Sequence, residues 1–378
     1  MHKKLNGNTW VELDLKVLAS NLASVRRALR KGTEMIFLVK ANAYGHGMIP
    51  VVRKAWRCGV RWFAVAHIND ALELREALPK AGIIMVSVLD PAHAGLAARN
   101  RITPFVASRK HGLALAGEAS ARGQTIRCHA KIDTGMGRLG IAWQDAVEIV
   151  SELSAMRGLD IRGVCSHFAT SDCPDKAFAW IQAERFSRVS AAIEQDLGRS
   201  LVKHISNSGG ILAGAAWDHD AVRPGILIYG YGEPVSDKPP QNKRGISTAP
   251  FLQWKTRVLQ VKTVPAGFPV SYGCTYTAPR KTSIATIDAG YSDGYFRLLS
   301  NKGHVLAGGR RCRIAGRVTM NLIAIDLGSR TTVREGDEVV LIGSQGKESI
   351  WADELAGQAG TIPYEILTNI KTVDRRIK

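Results

Sequence analysis

Polar side chains suited to chemistry follow several short apolar runs of the chain, at the point where each run ends. They are Lys40, Lys131, Arg138, His167, Asn207, Ser208 and Arg223. A lysine becomes a competent nucleophile when burial lowers its pKa, and guanidinium and hydroxyl groups bind anions. Each of these residues alone has an ordinary explanation, because most lysines at strand ends reach solvent and most histidines beside a phenylalanine are packing residues. Their recurrence at successive run ends indicates a shared site.

Glycine-rich turns accompany two of these positions. Ser208-Gly209-Gly210 is predicted to begin a helix, and Gly225-Ile226 comes just after Arg223. Glycines let backbone N–H groups approach an anion closely, and a helix N-terminus adds its positive end. Such turns are weak evidence on their own, but here they stand beside the charged residues. They predict a phosphate-binding cradle.

The spacing of the apolar runs indicates which fold must position these groups. Asp14 is a plausible N-cap for a helix whose apolar residues, Leu15 to Leu29, recur at steps of three and four. Eight strand-like runs, separated by amphipathic stretches, lie near 35–39, 62–66, 83–88, 103–106, 126–132, 161–166, 202–205 and 222–228. This pattern predicts an α/β fold, an N-terminal (β/α)8 TIM barrel, whose active sites lie at the carboxyl ends of the strands.

The composition of the sequence and the spacing of its apolar residues change after Tyr229. Residues 232–250 are rich in Gly, Pro, Lys and Ser and are predicted to form a linker. Alternating short runs then lie at 258–264, 283–287, 304–306, 312–315, 322–326 and 338–342. We therefore expect a barrel domain over 1–244 and a mostly β domain over 245–378, with residues 1–13 forming a strand that joins the β domain.

Composition limits the classes of protein. The 378 residues are 45% apolar and 22% charged, typical of globular proteins, and the six cysteines are irregularly spaced. No signal peptide or membrane-length apolar run is apparent, so we expect a cytoplasmic protein without disulfides or a bound metal. The net charge of +18 raises the question of an anionic partner. Because no nucleic-acid recognition motif is present, we expect neither a nucleic-acid nor a membrane partner.

Residues 39–47, Val-Lys-Ala-Asn-Ala-Tyr-Gly-His-Gly, resemble the pyridoxal-phosphate signature of the alanine racemase family. Further motifs agree in family order at 131–140, 166–169, 222–225, 270–273, 288–294 and 362–365. The resemblance extends from about Trp10 to Arg375 and has motifs in both predicted domains.

The resemblance implies a cofactor, pyridoxal 5'-phosphate, and a residue for each of its parts. Lys40 would hold it covalently, and Arg223 would face its pyridine nitrogen. A guanidinium donates but does not accept a proton, so the pyridine would stay unprotonated, a poorer electron sink that favours racemisation over side reactions. The remaining cofactor-binding residues implied are Tyr44, His167, Asn207, Ser208, Gly225, Ile226 and Tyr364.

The resemblance also implies a homodimer that interconverts L- and D-alanine with two bases, one on each face of the substrate. Lys40 would be one base and Tyr272 of the partner subunit the other, with His167 and Arg223 favouring the phenolate. Met320 would bind the carboxylate of the small-molecule substrate, and Arg138 would bind either that carboxylate or the phenolic oxygen of the cofactor. Lys131 is the position often carbamylated in relatives. The supporting residues, which would line a narrow substrate corridor, are Asp172, Tyr291, Arg297 and Arg317.

The sequence departs from the family pattern at 319–321, where Thr319 and Asn321 replace the usual Cys and Asp. Loss of an acidic residue should lower the pKa of neighbouring bases. This difference leads us to expect an altered rate or substrate preference.

Other functions can be weighed against that of an alanine racemase. A serine hydrolase is suggested by Gly290-Tyr291-Ser292-Asp293-Gly294, but no suitably spaced later carboxylate and histidine complete a triad. A decarboxylase would carry an acidic residue in place of Arg223. A racemase of another or broader amino acid specificity, and a non-catalytic pyridoxal-phosphate carrier, stay open. For the racemase, we expect a role in D-alanine biosynthesis as peptidoglycan precursor supply, while catabolism and resistance to an inhibitor stay open as roles.

Overall fold

A computed structural model describes residues 7–232, 242–372 and 374–378. The predicted linker falls partly on 233–241, and the predicted N-terminal strand partly on 1–6, both outside the described residues. The strands are β1 (Trp10–Leu13), β2 (Glu34–Leu38), β3 (Trp62–Val65), β4 (Gly82–Val88), β5 (Ile102–Val106), β6 (Ile126–Asp133), β7 (Ile141–Ala142), β8 (Leu159–Cys165), β9 (Val202–His204), β10 (Ala221–Val222), β11 (Leu252–Val264), β12 (Pro269–Val270), β13 (Tyr276–Thr277), β14 (Thr282–Ile287), β15 (His304–Ala307), β16 (Arg310–Ile314), β17 (Ile323–Asp326), β18 (Glu338–Gln345), β19 (Glu348–Ile350) and β20 (Arg375–Ile377).

The helical segments connect these strands, with longer helices in the first half of the chain. They are α1 (Leu15–Ala28), α2 (Lys40–Tyr44), α3 (Met48–Arg57), α4 (Ile68–Ala77), α5 (Ala94–Arg99), α6 (Arg109–Ser120), α7 (Ala146–Ser154), α8 (Ala177–Leu197), α9 (Ser208–Ala213), α10 (Ala352–Ala359) and α11 (Pro363–Thr368). Short 3₁₀ turns lie at Pro91–His93, Ala215–Trp217, Tyr272–Cys274 and Arg297–Leu299.

The N-terminal half is a parallel barrel, as the sequence predicts. Its strand order is β10-β2-β3-β4-β5-β6-β8-β9. The ring closes between β9 and β10, where Asp220 N donates to Lys203 O (3.1 Å) and Arg223 N donates to Ser206 O (2.8 Å). The carboxyl ends of all eight strands therefore meet at one mouth of the barrel.

The eighth predicted strand, 222–228, is wrong in its extent. Only Ala221–Val222 pairs with β2, and the chain then makes tight turns in which Ile228 N donates to Gly225 O and Gly230 N donates to Leu227 O. Residues 226–229 are nevertheless buried. The apolar run reflects burial within turns, which periodicity alone does not distinguish from a buried strand.

The first helix is confirmed with its cap. Oδ1 of Asp14 accepts hydrogen bonds from Lys16 N (2.8 Å) and Val17 N (3.2 Å). Its buried face includes Leu18, Leu22 and Val25, so the three-four spacing identified the side that packs on the barrel.

The C-terminal half is an antiparallel barrel-like sheet. Its strand order is β19-β18-β15-β16-β17-β14-β11-β1-β20, and β11 also pairs with β18. The long β11 pairs antiparallel with β1, and β20 lies parallel to β1 on its other side. Strands from both ends of the chain thus belong to this sheet.

The two halves meet beside the turn that follows β2. A Cβ on Gly45, whose φ is +78°, would lie 2.0 Å from Leu367 O of α11. This close approach places α11, which carries Tyr364, against the Lys40 turn. Within the described residues, no helix combines the length and the apolar character that crossing a membrane requires.

Candidate active site

Lys40 lies at the carboxyl end of β2, at the start of an unusual turn. Ala41 to Tyr44 all have positive φ, between 51° and 54°. A left-handed turn of L-residues costs roughly 1–2 kcal/mol per residue, so the surrounding structure must hold it. Asn42 contributes, because its Oδ1 accepts from Met48 N at 2.8 Å. Burial, and then the charge of Arg138, lower the pKa of Lys40.

Tyr44, Gly225 and Ser208 form a compact cradle at this mouth. A Cβ on Gly225 would lie 2.5 Å from the Tyr44 hydroxyl, so only glycine leaves room for that oxygen. Oγ of Ser208 accepts from Gly225 N (3.0 Å) and Leu227 N (3.2 Å). Hydroxyl and backbone N–H groups from three strand ends, those of β2, β9 and β10, therefore converge, as the binding of an anion requires.

Aromatic rings fix the position of Tyr44. Its ring stacks on Tyr229 with centroids 4.6 Å apart, and Tyr364 lies 5.9 Å away. The Tyr229 hydroxyl donates to Leu38 O at 3.0 Å, at the end of the lysine-bearing strand. Burial raises the pKa of Tyr364 to about 12, and the nearby Asp172 adds to the shift. The hydroxyls of Tyr44 and Tyr364 are thus neutral hydrogen-bond donors near pH 7.

Asn207 holds the start of α9. Its Oδ1 accepts from Gly210 N (2.9 Å) and from the Ser171 hydroxyl (2.7 Å). The helix predicted to begin at Ser208 is confirmed. Gly209 lies against the 171–172 loop, where a Cβ would approach Ser171 Oγ and Asp172 N to less than 3 Å. This packing orders Asp172 beside the cradle. Ile226, the residue after Gly225, is buried.

Arg223 is buried in the barrel and has no carboxylate partner among the described residues. Its guanidinium donates to the carbonyls of Ser166 (2.6 Å), His204 (2.9 Å) and Ile205 (3.0 Å). It also donates to Nδ1 of His167 at 3.2 Å. Because a guanidinium only donates, that nitrogen is the acceptor and neutral His167 carries its proton on Nε2. Burial, and then the charge of Arg223, lower the pKa of His167 to about 2.

A chain of two histidines continues from Arg223 into the barrel. Arg223 donates to Nδ1 of His204 at 2.7 Å, and Nε2 of His204 lies 2.8 Å from Nδ1 of His129. By the same donor logic, His204 donates to His129. Burial lowers the pKa of His129 to about 4. Sequence reasoning missed this pair, although His129 lies two residues before Lys131 and therefore faces the same side of β6.

Lys131 is a second buried cation. Its ammonium donates to Ile132 O at 3.3 Å. Its pKa is lowered to about 8, mainly by burial, and the charges of Arg223 and Arg138 act in the same direction against the opposing influence of Cys165. The charges of Lys40, Lys131, Arg138 and Arg223 all act on His167, so these predicted barrel residues form one electropositive group, with Arg138 at its exposed edge.

The remaining predicted residues lie on the β domain, away from this cradle. Tyr272 is 72% exposed and Met320 is 55% exposed. Among the described residues, no hydrogen bond, ion pair or ring contact joins Tyr272 to the barrel. The loops around them are tied together, since Ser271 Oγ donates to Arg317 O (2.7 Å) and Tyr291 N donates to Thr319 O (3.0 Å).

Asn321 takes part in the same loop packing. Its Nδ2 donates to Ser292 Oγ at 2.8 Å, and that hydroxyl donates to Met320 O at 2.8 Å. Ser292 thus has a structural partner on each side and is no isolated nucleophile. Arg297, in the 3₁₀ turn that precedes β15, is exposed. A single chain therefore presents two separate groups of predicted site residues, one in the barrel and one on the β domain.

Comparison with known proteins identifies the family. The model for "Alanine racemase, N-terminal domain" matches residues 13–233, and that for "Alanine racemase, C-terminal domain" matches 251–377. The alanine racemase of Syntrophobacter fumaroxidans is 39% identical over 363 residues, covering 96% of this chain and 95% of that protein. The alanine racemase of Halothermothrix orenii is 38% identical, covering 98% of this chain and 96% of that protein.

Solved structures agree over the whole chain. Alanine racemase from Bacillus anthracis with bound L-Ala-P superposes with a TM-score of 0.91 at 32% identity, covering 100% of this chain and 96% of that one. Alanine racemase from Bartonella henselae with covalently bound pyridoxal phosphate gives 0.86 at 27% identity, covering 99% and 100%. The combination of a parallel barrel and a β domain is thus the architecture of these relatives, and the chain belongs to the alanine racemase family.

Proposed function

We propose that this protein is a pyridoxal-phosphate-dependent racemase that interconverts L- and D-alanine at a site shared by two copies of the chain. The observation that carries the proposal is the barrel mouth, where Lys40, with its lowered pKa, lies with Arg223 and with the Tyr44–Gly225–Ser208 cradle. The barrel mouth thus brings together the Lys40 amine, the anion-binding cradle and the Arg223 guanidinium, which always acts as a hydrogen-bond donor.

The donor set fits the cofactor. The cradle suits a phosphate group, because the space that a Cβ on Gly225 would fill lies against the Tyr44 hydroxyl. Lys40 has the amine that binds the aldehyde, and Arg223 faces the interior with no carboxylate of the described residues to neutralise it. Asn207, Ile226 and Tyr364 complete the surroundings. When bound, pyridoxal phosphate supplies an electron sink that acidifies the Cα–H bond of an amino acid.

Lys40 acts as the base on one face. A lysine is protonated at neutral pH unless burial or nearby cations disfavour its charge, and both act here. The amine therefore takes a proton from Cα, or returns one, more readily than an exposed lysine does.

Tyr272 of the partner subunit acts as the base on the opposite face. One base cannot easily both remove and return a proton on opposite sides of a planar centre. Tyr272 is largely exposed in the single chain, which leaves its hydroxyl available to a second copy. The Nε2–H of His167, oriented by Arg223, is the donor that would stabilise its phenolate.

Arg138 and the backbone N–H of Met320 bind the substrate carboxylate. Lys131 orients Arg138 after carbamylation, which exchanges a buried cation for an anion. Its pKa of about 8 supports this step, because only a neutral amine combines with carbon dioxide. Carbamylation would also supply a carboxylate near two cations that act on Lys131, the buried Arg223 and the exposed Arg138.

Asp172, Tyr291, Arg297 and Arg317 form the entrance of the corridor. Asp172 belongs to the barrel and the other three belong to the β domain, and in the proposed dimer a second copy brings them together. A narrow entrance favours the methyl side chain of alanine, because larger side chains are excluded by size.

The test combines two measurements on the purified protein: the visible absorption band of the lysine-bound cofactor, and loss of optical rotation for a panel of L-amino acids. We expect the band, and loss of rotation with L-alanine. A protein that gains no band when supplied with cofactor would overturn the proposal. Activity on another amino acid but not on alanine would show that the proposed substrate is wrong. A coloured protein that is inactive on the whole panel would favour a pyridoxal-phosphate carrier.

A further inference from the structure

The opposite mouth of the barrel carries a concentration of positive charge that the proposed chemistry does not use. Cations stand just before, or at the start of, most of the strands, at their N-terminal ends. They are Arg61 before β3, Lys80 before β4, Arg101 before β5, Arg127 in β6, Arg162 in β8, and Arg199 and Lys203 at β9. Part of the net charge of +18 is therefore gathered on one face, far from Lys40.

A cavity of about 490 Å³ opens within this face. Its charged lining residues are Arg61, Arg75, Lys80, Arg101 and Arg127. No acidic residue lines it among those that the structure describes. A second cavity of about 770 Å³ shares Trp62, Thr103 and Arg127 with the first, and there Glu34 and Asp220 balance part of the charge. The smaller cavity is therefore the more strongly cationic of the two.

The guanidinium groups around the smaller cavity are held in place by backbone carbonyls. Arg75 donates to the carbonyls of Asn100 (2.8 Å), Pro79 (3.0 Å), Ala81 (2.7 Å) and Arg101 (3.0 Å). Arg101 donates to Pro79 O at 2.8 Å. These bonds fix the cations but leave their net charge uncompensated. Preorganised cations lose less entropy when an anion binds.

Arg61 is fixed in a similar way and keeps donors to spare. One guanidinium nitrogen donates to Trp56 O at 3.0 Å, and the group lies 4.4 Å from the centroid of the Trp56 ring. In the part of the chain that the structure describes, the one carboxylate paired with Arg127 is the distant Asp160 at 3.9 Å, which pairs more closely with Arg162 at 2.6 Å. Arg61 and Arg127 therefore bring largely available N–H groups to the cavity.

Trp62 adds a flat apolar wall. Its ring lies against Gly82, where a Cβ would come within 2.2 Å of the ring. The side chain is nevertheless 37% exposed and lines both cavities. A planar group could therefore stack on Trp62 while its anionic part reaches the guanidinium groups.

We propose that this cavity binds a small phosphorylated ligand with a planar ring, of the nucleoside di- or triphosphate class. The volume falls within the usual range for small-molecule sites, about 300–1,000 Å³. Cations gathered in a cavity suit a compact polyanion, whereas a nucleic acid would need a stripe that follows its backbone.

The test is calorimetric titration of the cofactor-loaded protein with ATP, with inorganic pyrophosphate and with adenosine, in magnesium-free buffer of low ionic strength. We expect ATP and pyrophosphate to bind and adenosine to bind far more weakly. Arg61→Gln and Arg127→Gln should each weaken ATP and pyrophosphate binding about tenfold, since each removes a charged hydrogen-bond donor. Trp62→Leu should weaken ATP binding more than pyrophosphate binding.

Arg53→Gln is the matched control, because Arg53 is an exposed arginine of α3 outside the cavity. It should leave both affinities unchanged. Arg127 is exposed, so its replacement should not prevent folding, and a melting curve checks this. Full affinity in both cavity variants, no binding of either phosphate compound at millimolar concentration, or binding of long RNA alone would overturn the proposal.

Discussion

The barrel group and the β-domain group of site residues are held in different ways. In the barrel, Arg223, Lys131 and Ser208 are buried, and backbone groups bind each of them. On the β domain, Tyr272 and Met320 project from loops and are mostly exposed. The barrel group is positioned by its own fold, whereas the β-domain group is largely open to solvent in the single chain. This difference is the structural reason for proposing a site shared between two chains.

Removing the amine tests the barrel group most severely. We expect Lys40→Ala to lower racemase activity by about 10⁴-fold or more and to abolish the visible cofactor band, because it removes both the attachment point and one base. The measurements are absorbance of the purified variant and racemisation rate.

Lys347→Ala is the matched control, since Lys347 is exposed in the turn between β18 and β19. It should keep both the band and the rate. A Lys40→Ala protein that retains the band would show that another lysine holds the cofactor.

Filling the cradle should have the next largest effect. In Gly225→Ala the new methyl group would lie 2.5 Å from the Tyr44 hydroxyl, which is confined by stacking on Tyr229. We expect about a tenfold or greater loss of pyridoxal-phosphate affinity and roughly 1–3 kcal/mol lower stability. Cofactor titration and urea unfolding measure the two effects.

Gly117→Ala provides the comparison for that change. Gly117 lies in α6, and a Cβ there would meet nothing within 4 Å. This variant should be neutral or more stable by about 0.5–1 kcal/mol. Equal cofactor affinity in the two variants would argue against the cradle.

The buried Lys131 gives a prediction of pH dependence. Its pKa falls from the ordinary 10.5 to about 8 in the folded protein. Between these values the unfolded chain holds a proton that the folded chain has lost, so the cost of burying this residue is relieved progressively as pH rises from 8 to 10.5. In carbon-dioxide-free buffer, Lys131→Met should therefore be more stable than the wild type at pH 7, with a gap that narrows toward pH 10.

Urea unfolding at several pH values measures this gap, and the variant cancels the contributions of other groups. A gap independent of pH would mean that Lys131 keeps its ordinary pKa. Native mass spectra recorded with and without bicarbonate test carbamylation separately.

The smallest effect is expected on the β-domain side. Asn321→Asp would exchange the amide that donates to Ser292 Oγ for a carboxylate that accepts from it. We expect less than about a threefold change in rate and a modest rise in the pKa values seen in the pH–rate profiles of both directions. Unchanged profiles in both directions would contradict the idea that Asn321 adjusts the bases.

Much of the barrel could be predicted from the sequence, because its strands are buried apolar runs and its polar residues stand where those runs end. Lys40 and His167 illustrate this, since each follows a strand directly. The strand predicted at β10 was too long, because buried turns and buried strands have the same apolar pattern. The His129–His204 chain was missed, because the partners come from strands 75 residues apart.

The β-domain residues could be named only from family resemblance. Tyr272, Tyr291, Arg297 and Arg317 lie in or beside loops and short turns, where periodicity carries no information about what they contact. In the proposed function they act together with a second chain, which no local pattern describes. The cationic mouth of the barrel shows the opposite limit. The excess of positive charge was evident from the composition, but the place where that charge gathers could be seen only in the folded structure.

Activity of mixed dimers tests the shared site most directly. Lys40→Ala and Tyr272→Phe chains are each expected to be inactive, but a mixed dimer has one site with Lys40 from one chain and Tyr272 from the other. After subunit exchange at equal amounts, about a quarter of wild-type activity should return, because about half of the dimers are mixed and one of their two symmetric sites is intact. Activity that stays at the level of the separate variants, with exchange verified by native mass spectrometry, would show that each site lies within a single chain.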